Sequence, residues 1–251
     1  DAVAREAARR AATEAEWLSM RADLPGAQRA CAAAFGAMAV RDLDRARRLF
    51  EETVEGFPGL EEAYESAGGF EKEEKHFEEA RRWYARGIKA DAGYLPHRIG
   101  RGAATFSLAR EFYDQRKDPS ALLDEAEADG AAALAGDDRD VDGRMLVAKC
   151  RGLRASHASE SGRDAGALYE EAVRLWKRAL ELDERRADAW VELGMVRANW
   201  AYDIALHGRQ AEPILDDAEA DFSRALDADP ARASAYHSRA RSLIHRGSLA
   251  V

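Results

Sequence analysis

One stretch of this chain recurs at an interval of 46 residues, and nothing else in the sequence constrains the fold as tightly. Leu122-Leu123-Asp124-Glu125-Ala126-Glu127-Ala128-Asp129 returns as Ile214-Leu215-Asp216-Asp217-Ala218-Glu219-Ala220-Asp221, and in looser form between Leu168 and Lys177. A fixed period between about 20 and 50 residues is the mark of a solenoid. A unit that short cannot bury its own apolar face, so the units stack on one another and leave a long concave surface that binds things. The spacing speaks of binding rather than of chemistry.

Ala, Glu, Arg and Leu dominate the periodic stretches, and the alternation of period two that a half-buried strand needs is absent. The expected fold is all-α, a solenoid of antiparallel helix pairs. The prolines check the register, because a proline inside a helix costs about 3 kcal/mol. Pro25, Pro58 and Pro230 fall at the ends of second helices, and Pro96, Pro119 and Pro213 fall in first turns. The register places an N-terminal helix over 1–25, ordinary-length units over 26–60 and 61–94, elongated units over 95–140, 141–186 and 187–232, and a partial unit over 233–251. No Ser-, Gly- or Pro-rich linker divides the array, so a single domain is expected. The extra residues of the elongated units carry their breakers in one place: Lys117-Asp118-Pro119, Ser161-Gly162-Arg163-Asp164 and Gly208-Arg209-Gln210. Asp118 and Asp164 suit helix N-caps and Gly208 a C-terminal cap, so both helices of each pair are expected to lengthen.

The unit beginning at Ala187 reads Asp188-Ala189-Trp190, Leu193-Gly194, Ala218, Phe222, Ala225-Leu226 and Asp229-Pro230. Gly194 and Ala218 are small where two helices must cross closely, and Trp190 and Phe222 are large beside the crossing. These residues resemble the tryptophan, leucine-glycine, alanine, aromatic, alanine and proline positions of the tetratricopeptide repeat, a resemblance that implies a right-handed superhelical solenoid. Tyr64, Ala67-Gly68, Phe77, Ala80, Tyr84 and Gly87 fit the same pattern, whereas Arg144 occupies the tryptophan position, Gly130 stands at an aromatic one, and Arg98 and Arg101 replace apolar residues of the third unit's first helix. The elongated units also resemble bacterial arrays carried beyond the kinase domain of some serine/threonine kinases. That resemblance implies, as the alternative function, a regulatory or scaffolding segment of a larger signalling enzyme.

The net charge is -9, and Glu51 to Glu79 holds eleven glutamates against Lys72 and Lys75. Glu62, Glu65 and Glu73 could draw a basic peptide, but pairs such as Glu71 with Lys75 fit a solvated helix surface better. An acidic chain whose arginine runs are each compensated by nearby acids lacks the basic stripe that nucleic acid requires. No stretch approaches the roughly 18 apolar residues of a membrane span. Cys31 and Cys150 read as buried free thiols, which points to a reducing, cytoplasmic setting. The chain opens at Asp1, and it reads as an excerpt from a longer protein.

No catalytic constellation, cofactor motif or metal spacing stands out. Gly100-Arg101-Gly102 lacks the strand and the third glycine of a dinucleotide loop and reads as tight helix packing. His237 and His245 have no nearby ligand partners. Ser156, His157, Ser159 and Ser161 are expected to face solvent near a helix end. What remains is the groove, whose wall the resemblance assigns to the first helices. Mapped onto this sequence, that wall holds Phe35, Met38, Glu62, Glu65 and Ile99, then Phe106, Met145, Leu146, Lys149, Val191 and Glu192, and finally Met195, Asn199, His237 and Arg241. Any of these, Phe106 and Leu146 above all, could instead pack on a neighbouring helix. Apolar residues mixed with a few charges suit an amphipathic helix or an extended peptide. A carboxylate clamp for chaperone tails is not supported, because Cys31, Phe35, Ser66, Pro96 and Gly100 fill its positions. The expectation is a non-catalytic module that binds a protein or peptide.

Overall fold

The computed structural model of the chain describes residues 26–249; the helix expected over 1–25, with Pro25, lies outside them. The described residues form eleven α-helices and no strand. In chain order they are α1 (Gly26–Ala39), α2 (Leu43–Gly56), α3 (Glu61–Glu73), α4 (Phe77–Ala90), α5 (Leu95–Asp114), α6 (Ser120–Gly136), α7 (Val141–Glu160), α8 (Gly166–Leu182), α9 (Ala187–Leu206), α10 (Glu212–Ala228) and α11 (Ala233–Leu249). The chain divides into two compact units, Asp1–Ala104 and Thr105–Val251.

The insertions are ordered, and most of their length goes into one helix of each pair. The first helices α5, α7 and α9 have 20 residues each, against 14 and 13 in α1 and α3. The second helices α6, α8 and α10 have 17, against 14 in α2 and α4. First helices thus gain nearly two turns and second helices a little under one. No described proline lies in a helix interior. Asp118 and Asp164 sit one residue further out than an N-cap, and their carboxylates accept from Ser120 N at 2.9 Å and Gly166 N at 3.0 Å.

In the first unit Phe50 is fully buried, with Phe35, Phe70 and Trp83 around it at centroid separations of 6.0, 6.3 and 6.5 Å. Tyr84 on α4 is clamped between two glycines: a Cβ on Gly68 would lie 2.7 Å from its ring and one on Gly100 2.2 Å. The Gly100-Arg101-Gly102 stretch is therefore a packing feature of α5. In the second unit Gly194 makes the same room for Phe222, at 2.6 Å. Gly130 has no partner aromatic to supply; its Cβ would meet Gly143 O at 3.0 Å, so α6 and α7 touch backbone to backbone there.

Four residues near the start of first helices, Tyr64, Arg144, Trp190 and Tyr236, share one task. Trp190 Nε1 donates to Glu184 O at 2.8 Å, Tyr64 OH to Pro58 O at 3.1 Å, Tyr236 OH to Pro230 O at 3.3 Å, and Arg144 Nη2 to Asp138 O at 2.5 Å. Each reaches back six residues to a carbonyl of the turn that enters its helix. What the position needs is an apolar stem with a donor at the tip, and arginine meets that as an aromatic does. Trp190 is only half-buried because its indole edge works at this rim, with Arg224 over the ring at 4.9 Å.

The turns repeat as faithfully as the helices. Asp91, Asp137, Asp183 and Asp229 each accept from the backbone N–H two residues on, at 2.7 to 3.1 Å, closing the second helix. The turn inside each pair carries one left-handed residue: Arg41 (φ 62), Lys75 (φ 64), Arg116 (φ 60), Gly162 (φ 70) and Gly208 (φ 68). Three of the five are not glycine, although the left-handed region costs an L-residue about 1 to 2 kcal/mol. Lys75 is exposed, so Lys75→Gly is expected to stabilise the chain by about 0.5 kcal/mol, once glycine's larger loss of unfolded-state entropy is deducted. A denaturation midpoint unchanged or lowered would show that the turn is not strained.

Candidate functional site

The first helices of the second unit, their added turns included, line a cleft. A space of about 340 Å³ is lined from α5 by Phe106, Arg110, Tyr113 and Asp114, from α7 by Lys149, Gly152, Leu153, Ser156 and Glu160, from α9 by Glu192, Met195, Val196, Asn199 and Tyr202, and from α11 by Arg241, with Trp176 of α8 behind it. A smaller space of about 160 Å³ shares Tyr113, Ser156, Glu160, Met195, Asn199, Tyr202 and Arg241, and adds Leu206 and Ser242 among others.

Six residues mapped from the sequence meet at the larger cleft: Phe106, Lys149, Glu192, Met195, Asn199 and Arg241. Met145, Leu146 and Val191 do not line it. All three are buried at 5% exposure or less, Met145 in the α7–α8–α9 core, Leu146 with Ala109 and Leu123, and Val191 with Ala225 and Ala235. They face the neighbouring helices because a first helix inside an array is covered on more than one side. His237 is exposed and lines neither space. In the first unit Phe35 and Met38 pack half-buried on the Phe50 core, Ile99 is half-buried, and Glu62 and Glu65 are exposed, Glu65 accepting from Tyr94 OH at 2.9 Å.

The mapping misses Arg110, Tyr113, Asp114, Ser156, Glu160, Tyr202 and Leu206. Most of these lie in the turns that an ordinary unit lacks, where the family pattern offers no positions to carry over. The 46-residue spacing is the usable signal, since Arg110, Ser156 and Tyr202 fall one period apart.

The floor of the cleft is polar and mostly satisfied. Ser156 is buried rather than solvent-facing: its Oγ donates to Gly152 O at 3.3 Å and accepts from Tyr169 OH and Asn199 Nδ2, each at 3.4 Å. Ser159 donates to the buried Asp203 at 2.5 Å. Glu160 is held by Tyr113 OH and Arg116 Nη1, both at 2.5 Å. Burial, and then the bond to Glu160, raises the Tyr113 phenol above its usual range, and burial pushes Tyr169 up to about 12, so both remain neutral donors at physiological pH. At the rim Tyr202 and Leu206 are 42% and 64% exposed, an apolar edge beside this polar floor.

Part of the glutamate-rich segment is paired within the first unit. The buried Glu71 accepts from Arg47 Nε at 2.7 Å and lies 2.9 Å from His76 Nδ1; Arg86 grips Glu51 with two bonds of 2.8 Å; Arg41 reaches Glu74 at 2.6 Å. These paired glutamates brace the helices of the first unit, while Glu62 and Glu73 are exposed. Cys31 and Cys150 are buried free thiols, pushed up by burial to about 11 and about 12, so neither is a nucleophile at neutral pH. Among the described residues no group of three His, Cys, Asp or Glu side chains could hold a metal ion, and no helix is long and apolar enough to cross a membrane.

No family model matches the sequence, and neither does any curated protein. Solved structures do match. TTC0263, a thermophilic TPR protein of Thermus thermophilus, is 19% identical with a TM-score of 0.59 over 87% of this chain and all of its own. The MamA RS-1 ArsTM double mutant is 12% identical with a TM-score of 0.54 over 83% of this chain and 97% of its own. Together with the helix pairs, the glycine-aromatic crossings and the repeated turns, these likenesses give the chain the fold of the tetratricopeptide-repeat proteins.

Proposed function

We propose that the chain is a non-catalytic interaction module whose second unit holds a peptide or a partner helix against its first helices. The observation that carries this reading is the cleft of about 340 Å³, into which α5, α7, α9 and α11 all contribute side chains. Its half-buried Met195 and exposed Tyr202, with Leu206 in the adjoining smaller space, offer apolar contacts, and the serines, Asn199 and Arg241 beside them offer the polar groups that fix a ligand's orientation. A helix would lay its apolar face on that edge, and an extended peptide would place alternate side chains there.

The test is to select peptides on the chain from a displayed library and to measure their affinity for Met195→Glu. Met195 is half-buried at the cleft wall, so the charge meets the peptide's anchor while the helix pair stays folded. Binding is expected to weaken at least about tenfold with an unchanged circular dichroism spectrum, the size of loss typical of a central anchor. Peptides that bind the variant as tightly as the parent would move the site off this cleft. Met145 is unsuitable for the same experiment, because at 3% exposure a glutamate there would disrupt the core.

A further inference from the structure

Lys149, Met195 and Arg241 stand at the same position of three consecutive first helices, one 46-residue period apart, and all three line the larger cleft. From this row we infer that the cleft selects a peptide in which an apolar side chain is flanked on both sides by carboxylates. The apolar group sits on Met195 and Tyr202, and the carboxylates meet Lys149 and Arg241. The inference rests on the groove reading above and gives its ligand a chemistry.

The two cations of the row are conspicuous for what they do not do. Neighbouring arginines are engaged with carboxylates of the second helices: Arg154 with Asp124 at 2.7 Å, Arg246 with Asp216 at 2.8 Å, and Arg151 with Glu127. Among the described residues Lys149 and Arg241 have neither an ion pair nor a hydrogen bond. Lys149 feels the field of Asp188, whose carboxylate is already bound by Arg186 at 2.9 Å. Arg110 adds a third cation to the lining. Three carboxylates share the cleft, but Glu160 is neutralised by Arg116, which leaves Asp114 and Glu192. In a chain of net charge -9 this is a local excess of unpaired positive charge at a concave site, the arrangement that attracts and orients an acidic ligand.

A second observation falls beside Arg241. Ser242 is 1% exposed, its Oγ has no hydrogen-bond partner, and it lines the smaller space that Arg241 also lines. A buried hydroxyl without an acceptor is the group a ligand oxygen would complete. Met195 belongs to both spaces, so the apolar seat and the polar one are continuous.

The experiment uses the 251-residue chain and synthetic fluorescein-labelled nonapeptides, read by anisotropy. Each carries a central leucine and two glutamates placed one to four residues to either side; parallel sets carry glutamine or lysine instead. The best glutamate peptide is expected to bind about tenfold or more tightly than its glutamine counterpart, with a preference that shrinks as salt is added. Lys149→Glu with Arg241→Glu should abolish the preference, and Met195→Glu should weaken the glutamate and glutamine sets alike. Glutamine peptides that equal the glutamate ones yet respond to Met195→Glu would keep the groove and overturn the acidic rule. If no set binds, or if binding ignores all three substitutions, the groove reading falls with it.

Discussion

Asp221→Ala is expected to destabilise the chain by about 3 kcal/mol, the cost of leaving a buried charge without its partner. Asp221 on α10 is fully buried, and its carboxylate meets Arg197 Nη1 of α9 at 2.5 Å. Arg197 is itself only 6% exposed, and its remaining acceptors are the Asp217 carbonyl at 3.4 Å and carboxylate at 3.3 Å. Those long contacts temper the loss without cancelling it. The pair does not stabilise in proportion to its geometry, because burial raises the Asp221 carboxyl to about 6 in spite of Arg197. Replacing both members, Arg197→Met with Asp221→Leu, should therefore be neutral or stabilising. The folded value stands above the ordinary carboxylate range near 4, so between those two values the folded chain binds the extra proton. This contribution is complete below about 4 and is lost as the pH rises through about 6. Urea midpoints from pH 4 to 7 should lose that slope in the double variant. An Asp221→Ala variant as stable as the parent would show that the pair is dispensable.

The second large effect sets two glycine-to-alanine substitutions against each other. At Gly100 the new methyl would stand 2.2 Å from the ring of Tyr84, which is 4% exposed and already held on its other side by Gly68. The ring has nowhere to retreat, so α4 and α5 must part. Overpacking of that kind costs about 1 to 3 kcal/mol, and the upper end is expected here even after the gain in helix propensity of about 1 kcal/mol. Gly56, the last residue of α2, has nothing within 4 Å of its Cβ position. Gly56→Ala should accordingly stabilise by about 0.5 kcal/mol. Midpoints shifting in the same direction for both would mean that contact with Tyr84 does not limit the approach of the helices.

Much of the fold could be read from the residues, because helix ends are written in local chemistry. Pro58, Pro96, Pro213 and Pro230 all lie where a helix tolerates them, and Gly208 takes the left-handed turn expected of it. The functional wall was less legible. Adjacent residues of a helix point about 100° apart, and a first helix within an array touches both its own partner and the next pair. A one-residue difference thus separates the buried Val191 from the cleft-lining Glu192, and Met145 turned inward where Met195, four residues further along its own helix, faces the cleft. The division of the insertion was hidden for another reason. Breakers mark where helices stop, but they do not say how much of the intervening length each helix takes, and the first helices took most of it.

The backward-reaching donor at Tyr64, Arg144, Trp190 and Tyr236 bears on how such a chain diverges. Tryptophan's single codon is one base change away from codons for arginine, so a lineage can pass between the two in one mutational step. With the bond to the turn carbonyl kept by either side chain, that step leaves the architecture standing while deleting the letter by which the repeat is recognised. Arg144 and Trp190 show the two side chains at the same work within one molecule: two neighbouring repeats of the same build, one spelled for the reader and one not.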